Sequence, residues 1–217
     1  MDLCPQELVS MGVRREGGLL TRILSAIAAR GLRGAESVIV IGRCMADEVA
    51  KMGASRDRIH FIPNWIDETQ VTPIDNDDKP LRKVMGGDGR FVVLYGGNLG
   101  NAQYFDDFLA AARQVPTEHD NATRKPLYVI IGEGSRGGYI RAQAESIENL
   151  VVLPFLHEKY SLAEILGAGD LQFISLKESC TGLGVPSKTY VALAVERPIL
   201  FQGSPRSEIA RMVTEED

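Results

Sequence analysis

From residue 91 onward, short segments that are apolar throughout alternate with segments whose apolar residues recur at helical spacing. The apolar segments predict strands at Phe91–Tyr95, Leu127–Ile131, Leu150–Leu153, Leu171–Ser175 and Ile199–Phe201. The other segments predict helices at Phe105–Val115, Tyr139–Ile147, Leu162–Leu166, Ser187–Ala194 and Ser207–Val213. Wholly apolar strands that alternate with helices are typical of a parallel sheet covered on both faces. The predicted fold class is therefore α/β.

A shorter stretch with the same alternation precedes residue 63. The pattern there predicts helices near Leu19–Leu32 and Met45–Met52, and strands at Ser37–Ile41 and Arg58–Ile62. The first of these helices carries one apolar stripe, which consists of Leu19, Leu20, Ile23, Leu24, Ile27 and Ala28. Residues 63–90 lack periodicity and are rich in proline, glycine and aspartate, so we interpret them as a linker with turns.

Candidate binding residues follow the predicted strands, because ligands of open parallel sheets bind beyond the carboxyl ends of the strands. After the first strand of the second region come Gly96, Gly97 and Asn98, and after the next come Gly132 and Glu133. Glycine lets the backbone approach a phosphate closely, and the following helix offers free N–H groups. Tight turns without a ligand explain these glycines equally well, and a solvated turn position is the favoured interpretation of Glu133.

The loop after the third strand of this region contains Pro154, Phe155, Leu156 and His157. It opens toward the same edge of the predicted sheet as the two glycine turns. For His157, which precedes Glu158, a solvated turn position is favoured over a general base, because a base must reach a substrate proton.

The loop after the fourth strand holds the strongest candidates for anion binding: Gly182, Leu183, Gly184, Ser187 and Lys188. The glycines permit inward-facing N–H groups, and Ser187 is a favourable N-cap residue. Lys188 then falls in the first helical turn, where the helix dipole disfavours a cation. A bound anion would remove this conflict, and the alternative is that Lys188 points into solvent.

Composition narrows the function classes. The chain has 217 residues and a formal net charge of −5, which disfavours nonspecific binding to nucleic acid. Its three cysteines and three histidines show no metal-ligand spacing, so neither a zinc site nor a disulfide framework is predicted. The first 17 residues lack the apolar core of a signal peptide, and we expect a cytoplasmic protein.

Several segments together resemble glycosyltransferase family 4, which has the GT-B fold, and are closest to its bacterial exopolysaccharide and O-antigen branch. The resemblance depends on Phe61–Asp67, Tyr95–Gly100, Ile131–Gly134, Val152–Phe155, and Gly184–Tyr190 with Ala194, Arg197 and Pro198. It implies that residues 1–63 are the C-terminal portion of an acceptor-side domain. Residues 64–90 would then be the interdomain linker, and 91–217 a nucleotide-sugar-binding domain that is incomplete at its C-terminus.

The resemblance also implies the chemistry. Such enzymes transfer a sugar from a nucleotide-sugar donor, often a UDP-sugar, to a glycan or polyprenyl-linked acceptor, with retention of configuration and without a bound metal or other cofactor. Gly96–Gly97 and Gly182–Gly184 would line the diphosphate, the backbone at Pro154–Leu156 would hold the base, and Lys188 would face the phosphates. No residue of this sequence is assigned a catalytic role.

Three departures from the family pattern stand out. The loop after Gly97 lacks the usual Arg and Lys, Val191 stands where a glutamate would hold the donor ribose, and Glu196 stands where glycine is common. The family's first domain has roughly full Rossmann size, over about a hundred residues. The region before residue 63 corresponds only to its final third, so we expect a truncated reading frame. With half of the cleft missing, the chain alone is expected to show little or no turnover.

Other interpretations remain open. The chain could be an inactive nucleotide-binding fragment or an interaction module derived from such an enzyme. A UDP-sugar 2-epimerase would need a carboxylate and histidine set that the scattered histidines do not obviously supply. The predicted helix Leu19–Leu32 is flanked by arginines and could rest peripherally on the inner membrane face, although packing of its apolar stripe on the first-domain sheet is favoured.

Overall fold

The computed structural model describes residues 18–74, 80–114 and 126–215. The described residues form two compact units. The first unit comprises residues 18–65, Leu176–Pro186 and 203–215, and the second comprises 66–74, 80–114, 126–175 and 187–202.

The second unit is built on a five-stranded sheet in which all strands are parallel. Its strands are β3 (Val92–Gly96), β4 (Leu127–Ile131), β5 (Leu150–Leu153), β6 (Leu171–Ser175) and β7 (Ile199–Gln202). Their order in the sheet is β5-β4-β3-β6-β7, which makes β3 the central strand. Its helices are α3 (Pro80–Val84), α4 (Asp106–Arg113), α5 (Gly137–Ala144), α6 (Leu162–Gly167) and α7 (Lys188–Ala194).

The central strand β3 is buried on both faces. Val92 and Leu94 belong to one apolar cluster with the helix residues Leu81 and Leu166. The alternate residues of the strand, Val93 and Tyr95, belong to a second cluster that contains residues of α4 and α5. Because successive side chains of a strand point to opposite faces, the sheet has a core on each side. The predicted α/β class with a parallel sheet is confirmed.

The expected linker over 64–90 differs from the structure at α3. Leu81 and Met85 stand one helical turn apart and are both buried. Arg82, between them, donates to both carboxylate oxygens of Asp170 at 2.9 and 2.6 Å, and Asp170 accepts the N–H of Val92 at 2.7 Å. A buried apolar pair and a two-point ion pair therefore hold a helix where proline and glycine indicated turns.

The first unit contains a smaller parallel sheet of two strands, β1 (Val38–Val40) and β2 (Ile59–Phe61). Its helices are α1 (Leu19–Gly34), α2 (Arg43–Lys51) and α8 (Glu208–Glu215), with short 3-10 turns at Arg56–Arg58 and Glu178–Cys180. Val38, Val40, Met45, Val49 and the distant Leu183 form its core.

The apolar stripe of α1 is less covered than the favoured interpretation requires. No residue of α1 is buried, and Leu19, Leu20, Ile23 and Ile27 are exposed. Only Leu32, near the end of the helix, packs against the core of the first unit. The sheet of this unit has two strands of three residues each, and their area is too small to cover a helix of 16 residues.

The predicted divisions and element ends differ from the structure in detail. Leu176–Pro186 and residues 203–215 group with the first unit, although the predicted boundaries assign them to the second domain. The physical reason is that Leu183 lies in the core formed by β1 and α2. The boundaries of the domains themselves stay a prediction. The helix predicted at Tyr139–Ile147 is observed at Gly137–Ala144, and the predicted end at Val115 lies outside the described residues.

Candidate functional site

Parallel register brings three of the predicted loops together at one edge of the five-stranded sheet. Gly96 pairs with Ile131, and Ile131 pairs with Leu153. The hydrogen-bonding continues into the loops, because the N–H of Gly97 donates to the carbonyl of Ile131 at 2.9 Å. The N–H of Gly132 in the same way donates to Leu153 at 3.0 Å. The loops after β3, β4 and β5 therefore start side by side, as the sequence predicted.

The turns after β3 and β4 are joined by their backbones. The N–H of Leu99 donates to the carbonyl of Glu133, and the N–H of Arg136 donates to the carbonyl of Leu99, both at 2.8 Å. Gly97 has φ +139° and Gly134 has φ +153°, conformations that favour glycine. These bonds hold the Gly96–Gly100 turn in a fixed conformation.

Close backbone contact explains why these positions are occupied by glycine. A Cβ atom on Gly132 would stand 1.9 Å from the carbonyl oxygen of Gly97, and one on Gly134 would stand 2.5 Å from that of Leu99. The glycines are therefore required by contact between the turns, whether or not a ligand lies beyond them. Glu133 and Asn98 are exposed, in keeping with turn positions that face solvent.

The side chain of Lys188 is enclosed by the protein, unlike a residue at a solvated turn position. It runs to the Gly96–Gly100 turn, and a Cβ atom on Gly97 would stand 2.9 Å from the Lys188 Nζ. The ammonium lies over the ring of Tyr95, 3.7 Å from the ring centroid. It is inaccessible to solvent and has no hydrogen-bond partner within the described part of the chain. The alternative that Lys188 points into solvent is therefore wrong.

Burial governs the electrostatics of this side chain. Lys188 as a residue is partly exposed, but its Nζ is enclosed, and it is the surroundings of the Nζ that determine its charge. Desolvation lowers the pKa of Lys188 to about 7. Burial also raises the pKa of Tyr95 far above its usual range, so Tyr95 stays neutral. An anion brought next to the ammonium would favour its charged form and would meet a donor that is not otherwise engaged.

The predicted N-cap at Ser187 does not form. Ser187 directly precedes α7, but its backbone is helical, with φ −62° and ψ −25°, and its side chain makes no capping hydrogen bond. A capping side chain normally requires an extended backbone at this position.

The loop after β5 presents Pro154 and Phe155 to solvent. Leu156 instead packs against the apolar cluster beneath the sheet, and its carbonyl accepts the N–H groups of Lys159 and Tyr160. His157 is exposed and packs edge-on against the ring of Phe155 with 6.2 Å between centroids. Nothing in this loop gives His157 an orienting partner of the kind that a general base has.

Gly182, Leu183 and Gly184 belong to the first unit. Leu183 is a core residue there, and Gly182 has φ +78°. A Cβ atom on Gly182 would stand 2.6 Å from the Cγ of Glu48 and 2.9 Å from the carbonyl oxygen of Cys44, so contact with α2 explains this glycine. Gly184 has open space around it. The phosphate role of these residues stays a prediction.

Sequence reasoning missed the role of Tyr95, which it assigned to a strand and to the Tyr95–Gly100 segment of the resemblance but not to the donor site. The informative feature was an aromatic residue with a polar tip at a strand end, directly before two glycines.

Within the described ranges, no group of three or more His, Cys, Asp or Glu side chains could hold a metal ion. Among the described helices, none combines the length and apolarity that a membrane crossing requires.

The fold and the strand-end loops together define an α/β protein of the GT-B type. Residues 3–65 match the family described as glycosyl transferase 4-like domain. The chain is 28% identical over 219 residues to the probable glycosyltransferase WbjE of Pseudomonas aeruginosa, an alignment that covers 99% of this chain and 52% of the relative. The predicted resemblance to glycosyltransferase family 4 of the bacterial polysaccharide type is confirmed.

Two solved structures support the fold. WaaG, a glycosyltransferase involved in lipopolysaccharide biosynthesis, has a TM-score of 0.72 at 16% identity, over 99% of this chain and 57% of WaaG. Anabaena Alr3699/HepE in complex with UDP-glucose has a TM-score of 0.71 at 15% identity, over 88% of this chain and 51% of that protein. The chain spans about half the length of the curated relatives it matches.

Proposed function

We propose that this chain supplies the donor-binding part of a glycosyltransferase that acts in cell-surface polysaccharide biosynthesis. The donor is a nucleotide sugar, most simply a UDP-sugar, and the acceptor is a glycan or a polyprenyl-linked acceptor. Transfer proceeds with retention of configuration and without a metal ion. The observation that carries this proposal is the enclosed Lys188 ammonium, which lies against the Gly96–Gly100 turn and has no hydrogen-bond partner in the described part of the chain.

A diphosphate fits the chemistry of this position. An enclosed ammonium without a partner is unfavourable, and a phosphate oxygen would supply both charge and hydrogen-bond acceptors. The adjacent turn has no side chain at Gly97 that would block a close approach to its backbone. A fixed cation here would also stabilise the charge that develops on the leaving diphosphate, a task that a metal ion performs in other transferases.

The relatives support the choice of UDP. HepE was solved with UDP-glucose and with UDP, and its fold matches this chain. The remaining donor-side roles are proposals of the same kind: Gly132 and Glu133 beside the phosphate turn, and Pro154–Leu156 near the base. The sugar and the catalytic residue are left unassigned.

Calorimetric titration of the purified chain with UDP tests the donor site. We expect binding that weakens about 10- to 100-fold in Lys188→Ala, the range for loss of one charge-assisted hydrogen bond. Lys83→Ala is the matched control, because Lys83 is an exposed lysine on α3 of the same unit, and its affinity should equal that of the parent. Equal affinities in Lys188→Ala and the parent would contradict the proposal, as would no binding at all.

A second measurement separates the enzyme from the alternative of a nucleotide-binding fragment or interaction module. The chain spans about half of its relatives, so we expect UDP binding without transfer of sugar from a radiolabelled UDP-sugar to a membrane extract. The same assay on a full-length relative should show transfer. Turnover by the 217-residue chain itself would contradict this expectation.

Contact with the cytoplasmic face of the inner membrane is a second proposal, and α1 favours it. The exposed apolar residues of this helix are accompanied by three exposed arginines, Arg22, Arg30 and Arg33. Apolar and basic residues on one helix are typical of attachment to anionic lipid. Co-sedimentation with phosphatidylglycerol vesicles should fall in the double variant Arg22→Glu, Arg30→Glu, and unchanged sedimentation would exclude this contact.

A further inference from the structure

Tyr95 contacts both parts of the proposed phosphate site. It is the fourth residue of β3 and is fully buried. The face of its ring receives the Lys188 ammonium, with 3.7 Å between Nζ and centroid. Its hydroxyl donates to the carbonyl oxygen of Asn98 at 2.7 Å, inside the Gly96–Gly100 turn.

The orientation of the Tyr95 ring is fixed from a third direction. Phe105 packs edge-on against it, with 5.0 Å between centroids and 74° between planes. A ring held by an aromatic edge on one side and by a hydrogen bond at its tip has little freedom to rotate. Its face therefore stays in position for Lys188.

We infer that Tyr95 is a positioning residue for the anion site: its ring face holds the Lys188 ammonium, and its hydroxyl holds the turn against which the phosphates bind. This inference rests on the proposed donor site. Tyr95 contacts no phosphate itself and acts through Lys188 and through the Asn98 carbonyl.

An aromatic face suits this task better than a carboxylate. The ring attracts the ammonium through its negative face without accepting a conventional hydrogen bond, so the N–H donors of Lys188 that point away from the ring remain for the phosphate oxygens. A carboxylate in the same place would neutralise the ammonium and would repel the incoming diphosphate. The ring thus holds the cation in place and leaves its charge for the ligand.

The ring also favours the charged form of Lys188. Burial lowers the pKa of Lys188 to about 7, and attraction by the ring face opposes that effect. Tyr95 is the titratable group against which the ammonium packs, and it remains neutral because burial raises its pKa. No carboxylate of the described residues accepts a hydrogen bond from Lys188. Loss of the ring should therefore move the titration of Lys188 to lower pH.

Two variants of Tyr95 separate its ring from its hydroxyl. Tyr95→Leu removes both, and Tyr95→Phe removes only the hydroxyl. Phe108→Leu is the control for loss of an aromatic core residue, because Phe108 belongs to the same apolar cluster and packs on the rings of Tyr128 and Phe173. The titration midpoint of Lys188 is measured by side-chain NMR in the unliganded proteins, and UDP affinity is measured by calorimetry at pH 6.5 to 8.5.

We expect Tyr95→Leu to lower the Lys188 midpoint by about one pH unit and to weaken UDP binding roughly tenfold at the upper end of this range. Tyr95→Phe should keep the midpoint and weaken binding about threefold at every pH, because the turn loses a hydrogen bond. Phe108→Leu should leave the midpoint unchanged and alter the UDP affinity by no more than about twofold, a packing effect only. If Tyr95→Leu does not fold, as judged by circular dichroism, Tyr95→Met offers the same test with a longer apolar side chain.

An unchanged Lys188 midpoint in Tyr95→Leu would overturn the inference, whatever the UDP affinity. Equal effects of Tyr95→Leu and Phe108→Leu would also overturn it, since they would show a packing role only. Absence of UDP binding in the parent, together with a shifted midpoint in Tyr95→Leu, would instead overturn the proposed donor site and the phosphate role of Tyr95 with it.

Discussion

The backbone of Gly132 lies against that of Gly97 so closely that a Cβ atom on Gly132 would stand 1.9 Å from the Gly97 carbonyl oxygen. No side chain is small enough to fit that space without moving one of the two turns. The turn after β4 thus supports the turn after β3, against which the ammonium of Lys188 lies.

Gly132→Ala should therefore lower the free energy of unfolding by about 3 kcal/mol or more, since overpacking against backbone has no flexible side chain to absorb it. Gly138→Ala, in α5, is the matched control, because its Cβ atom would meet nothing within 4 Å. Its stability should be unchanged or higher by up to about 1 kcal/mol. Urea denaturation measures both, and equal stability of the two variants would refute the prediction.

The sequence was sufficient to predict the sheet because apolar runs carry a strong and local pattern. Val92–Gly96 and Leu127–Ile131 are buried almost throughout, and such strands differ clearly from their polar surroundings. The position of the loops after β3, β4 and β5 at one edge of the sheet followed from the parallel arrangement alone. Their adjacency depends on the strand order, which the sequence did not give. The short helix Pro80–Val84 could not be found in this way, because the buried pair Leu81 and Met85 is too short a pattern to outweigh the prolines and glycines around it.

The candidate site was only half predictable. The sequence indicated that Lys188 is unusual, because a cation in the first turn of a helix conflicts with the helix dipole. It could not show that the ammonium is enclosed over Tyr95, since a tyrosine inside an apolar run is ordinarily a core residue. Nor could it decide why the glycines are present, because close approach to a ligand and close approach to another turn require the same residue.

Glu196 is the only non-glycine residue of the described ranges with positive φ, at +55°. This left-handed conformation is unfavourable for a residue with a Cβ atom. Glu196→Gly should raise the free energy of unfolding by about 0.5–1 kcal/mol, the strain removed less the added freedom of the unfolded chain. Glu196→Ala keeps the Cβ atom and should gain nothing. Denaturation midpoints distinguish the two, and a gain in both variants would point to the charge of Glu196 instead.

The ion pair between Arg43 and Glu208 joins α2 to α8 within the first unit. Glu208 is 2% exposed, accepts the backbone N–H of Arg43 at 2.5 Å, and accepts the Arg43 Nε at 2.9 Å. Gly42, at the N-cap of α2, supplies no capping side chain. The carboxylate of Glu208, the first residue of α8, instead accepts a free N–H group at the start of α2. Glu208→Gln should lower stability by about 1–3 kcal/mol, because a charge-assisted interaction becomes neutral.

Glu215→Gln is the matched control for this ion pair. Glu215 bonds the same arginine, but half of its side chain is exposed, and exposed pairs contribute at most about 1 kcal/mol. The loss in Glu208→Gln should therefore exceed the loss in Glu215→Gln, as measured by thermal unfolding. Equal losses would show that burial adds nothing to the Arg43 interaction.

Lys188 should make the unliganded protein less stable at neutral pH than a variant that lacks its charge. An unfolded chain protonates this side chain below its ordinary pKa of 10.5, whereas the folded protein does so only below about 7. The unfolded state thus binds the additional proton between these values, and stability rises as the pH increases from about 7 toward 10.5. Below pH 7 the folded protein carries the full cost of an enclosed ammonium.

Lys188→Met removes that cost and keeps an unbranched side chain of similar reach. The variant should be more stable than the parent at pH 6 by several kcal/mol, at roughly 1.4 kcal/mol for each unit of pKa shift, and the difference should shrink as the pH rises to 9. The same concentration of UDP should stabilise the parent more than Lys188→Met, since the folded parent binds the ligand more tightly. Urea denaturation of both proteins at both pH values, with and without UDP, measures these differences. Parallel pH dependence of the two proteins would show that the Lys188 ammonium is solvated after all, and the argument for an anion site at the Gly96–Gly100 turn would fall with it.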